Sequence, residues 1–440
     1  MNKLRSIYRL VAINLLNTIL LLIIINLVLG VAFFIKGHRT KPKPVGLFNS
    51  DGSPVDNGKR FGGVLEWFDF DATKEVGEVA AADVLDDFYD LANNGFIYRP
   101  WTGFSEPPFA GKRVSVDLDA AGFPVRRTIN PTANGTKRIL NVFVFGGSTT
   151  FGYYVADEHT WPSYLAAALN ERAKQQGLNI EVQVTNHGHA TYFPSQETAL
   201  CIEVLKSGQR PDLIIFMDGV NWGPNQDEPV FTQTVERRFN LLQRDDPVLA
   251  RQQVRSWLRQ WVPLYRFAAA VRQRTQPRYP VGIGPVDLNG NKVDAKKREH
   301  IEFIAERFRQ SARLSNAVCE TYQTPALFFL QPDALYNYPL SLIKRSPTGQ
   351  NWQTNQEERR QFYEELATDS QFISLHQAFD EFGVQQGRKA VVNGVHYNPS
   401  FNKFLAEIVA ARIDLAALAK TPVRTPQRAT GLRHQPATDR

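Results

Sequence analysis

From residue 139 onward the chain carries five short apolar runs separated by helix-forming stretches, and that alternation limits it to one fold class. The runs are ILNVFVF (139–145), IEVQVTN (180–186), LIIFMD (213–218), ALFFL (326–330) and FISL (372–375). Continuous β-rich runs of this kind need cover on both faces. Helix-like stretches at 161–176, 195–207, 297–322, 356–368 and 399–418 can supply it. Strands joined through helical crossovers pair in parallel, with right-handed connections. The expected fold is a doubly wound (flavodoxin-like) five-stranded parallel sheet in three α/β/α layers. Ligands bind such sheets at the carboxyl ends of the strands.

A second feature stands outside that pattern. Leu10 to Ile35 is a run of 26 residues without a charge. As a helix it would be about 39 Å long, enough to cross a hydrocarbon core of about 30 Å. Residues 1–36 are expected to form an uncleaved transmembrane anchor, because the run exceeds a signal peptide's apolar stretch and no small-x-small site follows. Lys3, Arg5 and Arg9 before it balance Lys36, Arg39, Lys41 and Lys43 after it, so charge alone does not orient it. Residues 37–64 read as a linker, with a stiff Lys41-Pro42-Lys43-Pro44 spacer. Residues 65–138 read as a lead-in region, with an acidic helix over 75–93 whose Asp83, Asp86, Asp87 and Asp90 form a solvated face. Residues 139–419 form the main domain, with an insertion at 222–296, and 420–440 a disordered basic tail.

The net charge of +7 comes from the ends of the chain. Of 51 Lys and Arg, seven lie in residues 1–43 and five in 420–440, leaving 39 basic against 43 acidic side chains between. A body of that balance lacks the clustered positive charge of a nucleic-acid groove, so nucleic acid is excluded as a partner. Two cysteines, Cys201 and Cys319, make neither a disulfide framework nor a C-x-x-C metal pair.

The polar residues that interrupt this pattern fall at strand ends. The first strand runs into Gly146-Gly147-Ser148-Thr149-Thr150-Phe151-Gly152, a tight turn that would expose a serine hydroxyl or, equally, cradle a phosphate. The second runs into Asn186-His187-Gly188-His189, the third into Asp218-Gly219-Val220-Asn221, and Asn393-Gly394-Val395-His396 precedes the last helix. A hydroxyl, a glycine amide, a carboxamide and an imidazole on separate loops at one sheet edge are the parts needed for acyl transfer.

Taken in order, FGGSTTFG, NHGHATYFPSQE, PDLIIFMDGVNW and NGVHYNPSFNKFLAEIVA resemble the four blocks of the SGNH, or GDSL-type, hydrolase superfamily. YRPWTGF (98–104) and VSVDLDAAGF (114–123) resemble the lead-in of its membrane-anchored bacterial members. The resemblance implies Ser148 as nucleophile and His396 as its base. It also implies an oxyanion hole of the Ser148 and Gly188 amides with the Asn221 side chain, and no cofactor. It departs at Asn393, where members usually carry Asp; an Asn carbonyl can orient the imidazole but cannot stabilise its charged form. Trp222 stands where many members have Asp.

The expected activity is hydrolysis of an acyl or acetyl ester on a glycan or lipid, through an acyl-serine. An O-acyltransferase acting on polysaccharide and a catalytically weak carbohydrate-binding protein of the same fold are the alternatives. His187 and His189 are weak metal ligands by spacing, since no acidic or cysteine ligand accompanies them, and no metal is expected. The aromatic stretch with Trp257, Trp261, Leu264, Tyr265 and Phe267 is expected to pack on the sheet layer; a lid or a surface resting on headgroups are its other readings. The bilayer is the expected partner of the anchor, with the catalytic domain outside the cytoplasm.

Overall fold

The computed structural model describes residues 2–39, 69, 78–132, 135, 137–221, 262–265, 267, 295–334, 336, 338–343 and 352–422. Most of the expected linker, Trp222, Trp257, Trp261, most of the insertion and the tail beyond 422 lie outside the described residues. The chain divides into two units, Met1–Val45 with Val230–Pro285, and Gly46–Pro229 with Val286–Arg440.

In the first unit, helix α1 (Asn2–Arg39) contains Tyr8–Ala32, a segment of 25 residues long and apolar enough to cross a membrane. A helix satisfies its backbone internally, as hydrocarbon surroundings demand. Its polar side chains do likewise: Thr18 Oγ1 donates to the Asn14 carbonyl at 2.8 Å and Asn26 Nδ2 to that of Leu22 at 2.9 Å. Asn26 Oδ1 accepts the Leu264 amide at 2.9 Å. Leu264 of the aromatic stretch therefore lies against α1, and Phe267 is exposed.

The second unit is built on one mixed sheet. Its strands are β3 (Phe109–Ala110), β4 (Ser115–Leu118), β5 (Pro124–Arg126), β6 (Arg138–Gly146), β7 (Ile180–Gly188), β8 (Leu213–Asp218), β9 (Ala326–Leu330) and β10 (Ile373–Ser374); β1 (Ile97–Arg99) and β2 (Gly103–Ser105) form a separate antiparallel hairpin. The spatial order is β10-β9-β8-β6-β7-β5-β4-β3. Five strands are parallel, and β5, β4 and β3 extend the sheet antiparallel from β7. The expected five-stranded sheet is thus corrected to eight strands, because part of the lead-in joins it.

Strand alternation sorts the core into two layers. Val142 and Val144 of β6 face the larger core layer, completed by α4 (Trp161–Gln175) and α9 (Pro399–Ala411). Phe143 and Phe145 face the other side, where Phe145, Phe216 and Phe328 stack at 5.3 and 5.0 Å beneath α5 (Pro194–Lys206) and α6 (Ala295–Thr321). Local signals start the helices that matter to the site. Thr160 Oγ1 accepts the Ser163 amide ahead of α4, and Asn398 Oδ1 accepts that of Phe401 at 2.8 Å ahead of α9, each followed by proline in the first turn.

The lead-in helix α2 (Glu78–Asn94) is not uniformly solvated along its acidic face. Asp87 is buried, and its Oδ2 accepts the Arg113 and Val114 amides at 2.6 and 2.9 Å. The expectation is corrected there: the carboxylate caps a backbone turn. Deeper still, Arg126 Nε lies 3.0 Å from Asp157 Oδ1, both side chains being almost wholly buried, with the guanidinium over the Phe88 and Phe151 rings. Burial pushes the Asp157 pKa up despite that partner. Removing one member of such a pair strands the other charge. Arg126→Ala should therefore lower unfolding stability by about 3–5 kcal/mol, read from the urea midpoint of the detergent-solubilised chain; an unchanged midpoint would refute the pairing.

Candidate active site

The parallel register of β6 sets Gly146 level with Gly188 on one side and with Met217 on the other. The three loops that follow therefore leave the sheet side by side. After Gly147 the chain enters a one-turn helix, α3 (Ser148–Phe151), so Ser148 supplies its first residue and its amide has no acceptor within the helix. Glycine is required at two positions by close approach. A Cβ at 147 would fall 2.2 Å from Asn221 Nδ2, and one at 188 would fall 2.5 Å from the Phe151 amide nitrogen.

Ser148 Oγ is 2.9 Å from His396 Nε2. The imidazole comes from the loop before α9 and is bordered by Tyr153 and Tyr154, whose ring centroids lie 5.7 and 5.2 Å from its own. Its other nitrogen, Nδ1, faces the buried Asn393 side chain, 3.2 Å from Oδ1 and 3.0 Å from Nδ2. The Val395 and His396 amides donate to Asn393 Oδ1 at 2.9 and 2.8 Å, which fixes which end of the amide is oxygen. Nδ1 can then donate to Oδ1 in one tautomer or accept from Nδ2 in the other. Burial lowers the His396 pKa to about 3, so the ring is neutral at ordinary pH.

Asn221 Nδ2 donates to the Tyr192 carbonyl at 2.8 Å, which leaves its second hydrogen free of that bond. The Gly188 amide donates to Asn186 Oδ1 at 2.9 Å, while Asn186 Nδ2 donates to the Thr150 carbonyl at 2.8 Å. Gly188 thus brings β7 close under the serine turn, with its N–H turned to Asn186.

The two remaining histidines of the H-x-H sequence part company. His187 is fully buried, stacked on Phe145 at 5.0 Å, with no hydrogen-bond partner for either nitrogen among the described residues; burial lowers its pKa to about 4. His189 Nδ1 instead lies 2.7 Å from Glu106 Oε2. Among the described residues no group of three His, Cys, Asp or Glu side chains is arranged to hold a metal ion. Sequence reasoning missed Glu106, Tyr153 and Tyr154. It also missed the buried Glu197 beside Asp218 of the third strand end; desolvation raises Asp218 to about 7 and Glu197 well above the usual carboxylate range. No periodicity marked them, because their partners come from distant parts of the chain.

No protein-family model and no curated protein matches the chain. Among solved structures it is similar to a lipolytic protein of the G-D-S-L family from Veillonella parvula, at 12% identity over 62% of this chain and 100% of that one, TM-score 0.34. A second likeness is to a G-D-S-L family lipolytic protein from Desulfitobacterium hafniense, at 14% identity over 62% and 98%, TM-score 0.29. A third is to an acetylxylan esterase from Geobacillus stearothermophilus, at 13% identity over 66% and 98%, TM-score 0.29.

The depressed pKa gives a direct test. The His396 ring proton resonances should stay flat between pH 5 and 8, because its pKa of about 3 lies below that range, whereas a free imidazole would titrate within it at about 6.5. In Asn393→Asp, where a carboxylate favours the protonated ring, the midpoint should move upward; a midpoint that stays put would show that residue 393 exerts no field on the imidazole.

Proposed function

We propose that the chain is a membrane-anchored serine hydrolase that cleaves carboxylic esters through an acyl-serine. The single observation that carries this reading is the 2.9 Å contact between Ser148 Oγ and His396 Nε2, with the far side of the ring held by Asn393. A serine hydroxyl attacks an ester only when a neutral base within hydrogen-bond reach takes its proton. His396 Nε2 accepts that proton as Oγ bonds to the acyl carbon. The resulting oxyanion is met by the Ser148 amide and the free hydrogen of Asn221 Nδ2, a type of donor worth about 2.7–4 kcal/mol in comparable sites. The imidazolium then protonates the leaving alcohol, and water repeats the sequence to free the acid and restore Ser148. Gly188 serves this arrangement by clearance, letting the serine turn sit against β7. The acyl or acetyl group would be carried by a glycan or lipid. If a sugar hydroxyl replaces water in the second half, the same site is an O-acyltransferase.

Asn393 sets the rate of this chemistry. Productive transfer needs Nδ1–H donating to Asn393 Oδ1, but the Nδ2 hydrogens offer the opposite tautomer an equivalent bond, in which Nε2 already bears a hydrogen and cannot act as base. In the serine-protease triad a neutral Asn in place of Asp lowers turnover by about 10⁴ through this tautomer. Purified full-length protein should hydrolyse a short-chain p-nitrophenyl ester and label with a fluorophosphonate, and Ser148→Ala should abolish both. Asn393→Asp should raise turnover by about tenfold or more. It should also move the rising limb of the pH profile to higher pH, because the base must be neutral and its pKa goes up. A wild type and an Asn393→Asp variant that are both silent to substrate and label would instead favour the carbohydrate-binding alternative, which a neutral Asn393 suits.

The apolar segment of α1 supports an anchor of the spanning type, with the serine domain on the extracytoplasmic side. Reporter fusions at residue 60 would read this: an extracytoplasmic signal is expected, and a cytoplasmic one would reverse the topology.

A further inference from the structure

Glu106 lies just beyond β2, in the lead-in and outside every motif that defined the site. Its side chain is 1% exposed. Oε2 is 2.7 Å from His189 Nδ1, Oε1 accepts the Ala190 amide at 2.8 Å, and the Tyr153 hydroxyl donates to Oε1 at 3.4 Å. A buried carboxylate without partners would cost several kcal/mol, so these contacts define where the group can sit.

The partners lie on both sides of Ser148. Tyr153 belongs to the aromatic wall against His396. His189 and Ala190 open the loop whose end, the Tyr192 carbonyl, holds the Asn221 amide. That loop is held under strain. Thr191 has φ +57°, a left-handed conformation that a β-branched residue rarely adopts and that persists only where its surroundings over-determine it. The restraints can be named. The His189 amide donates to the Gly146 carbonyl at 3.0 Å and the Tyr192 amide to the His189 carbonyl at 3.4 Å. The Tyr192 hydroxyl donates to the Phe104 carbonyl, two residues before Glu106. Glu106 supplies the two bonds that fix residues 189 and 190.

We propose that Glu106 is a positioning residue of this site: its buried carboxylate clamps His189 and Ala190, sets the 189–192 loop, and through the Tyr192 carbonyl aims the Asn221 amide at the reacting oxygen. The proposal rests on the serine-hydrolase reading and adds a residue from outside its motifs. An amide that acts on the oxyanion works in the transition state, so misaiming it should lower kcat and spare KM.

The test uses the full-length protein in detergent, with active sites counted by fluorophosphonate. Glu106→Ala should lower kcat per labelled site by about 10–100-fold with KM within about threefold. The loss should nearly vanish when Glu106→Ala is made in an Asn221→Ala background, because both changes remove the same interaction. Glu106→Gln should recover most of kcat, since its Oε1 can accept the Ala190 amide while its Nε2 donates to His189 Nδ1. Should Glu106→Ala fail to fold, Glu106→Asp decides, because it keeps the charge but withdraws it by one methylene, and a fall in kcat per labelled site is expected. Wild-type kcat per labelled site in whichever of the two folds would overturn the clamp, as would losses that simply add to those of Asn221→Ala. A wild type that neither labels nor turns over would mark failure of the hydrolase reading itself.

Discussion

The central strand β6 is bonded in parallel on both sides, and its register is what the rest of the second unit depends on. Because Gly146 is level with Gly188 and Met217, the serine turn, the 189–192 loop and the Asn221 loop all begin at one height above the sheet. A slip of one residue would exchange Val142 and Val144 with Phe143 and Phe145, putting rings where the packing fits valines and valines where it fits the stacked rings. The hydrophobic sorting that stabilises the sheet is therefore the same constraint that aligns the reactive groups. Tolerance for error is small, as the approach of Gly147 to Asn221 shows.

Much of this was legible in the sequence, for a physical reason. Strands buried on both faces must be apolar throughout, so β6, β8 and β9 announced themselves as continuous apolar runs separated by helix-forming stretches. The polar residues at their ends stood out against that background, which is how Ser148, Asn221, Asn393 and His396 could be picked without coordinates. The strands β3, β4 and β5 were hidden because each is two to four residues long and mixes Arg126, Asp117 and Pro124 into its pattern. Glu106 and Asp87 were hidden differently. A carboxylate satisfied by backbone amides or by an imidazole 83 residues away leaves no trace in local spacing, and its type alone suggests a solvated surface.

The His396 and His189 imidazoles have opposite surroundings. His189 has a carboxyl group at 2.7 Å, whereas His396 touches Ser148 Oγ and has a carboxamide behind it. Desolvation without a compensating charge explains why its pKa sits near 3. In the proposed hydrolase, a ring so weakly basic would stay neutral but give little driving force for proton removal, since transfer is most efficient when the base pKa lies near the working pH.

The outer borders of the sheet bear on how copies of this chain behave beside one another. An eight-stranded sheet has two rims whose unpaired amides and carbonyls invite strands from other molecules. Here both rims are formed by strands of only two residues, β3 and β10. Pro107 and Pro108 stand immediately before β3 and lack amide hydrogens to offer. An incoming strand would find too short a ladder to hold on either side. Among the described residues, that geometry leaves little backbone at either rim for a strand of another copy to pair with.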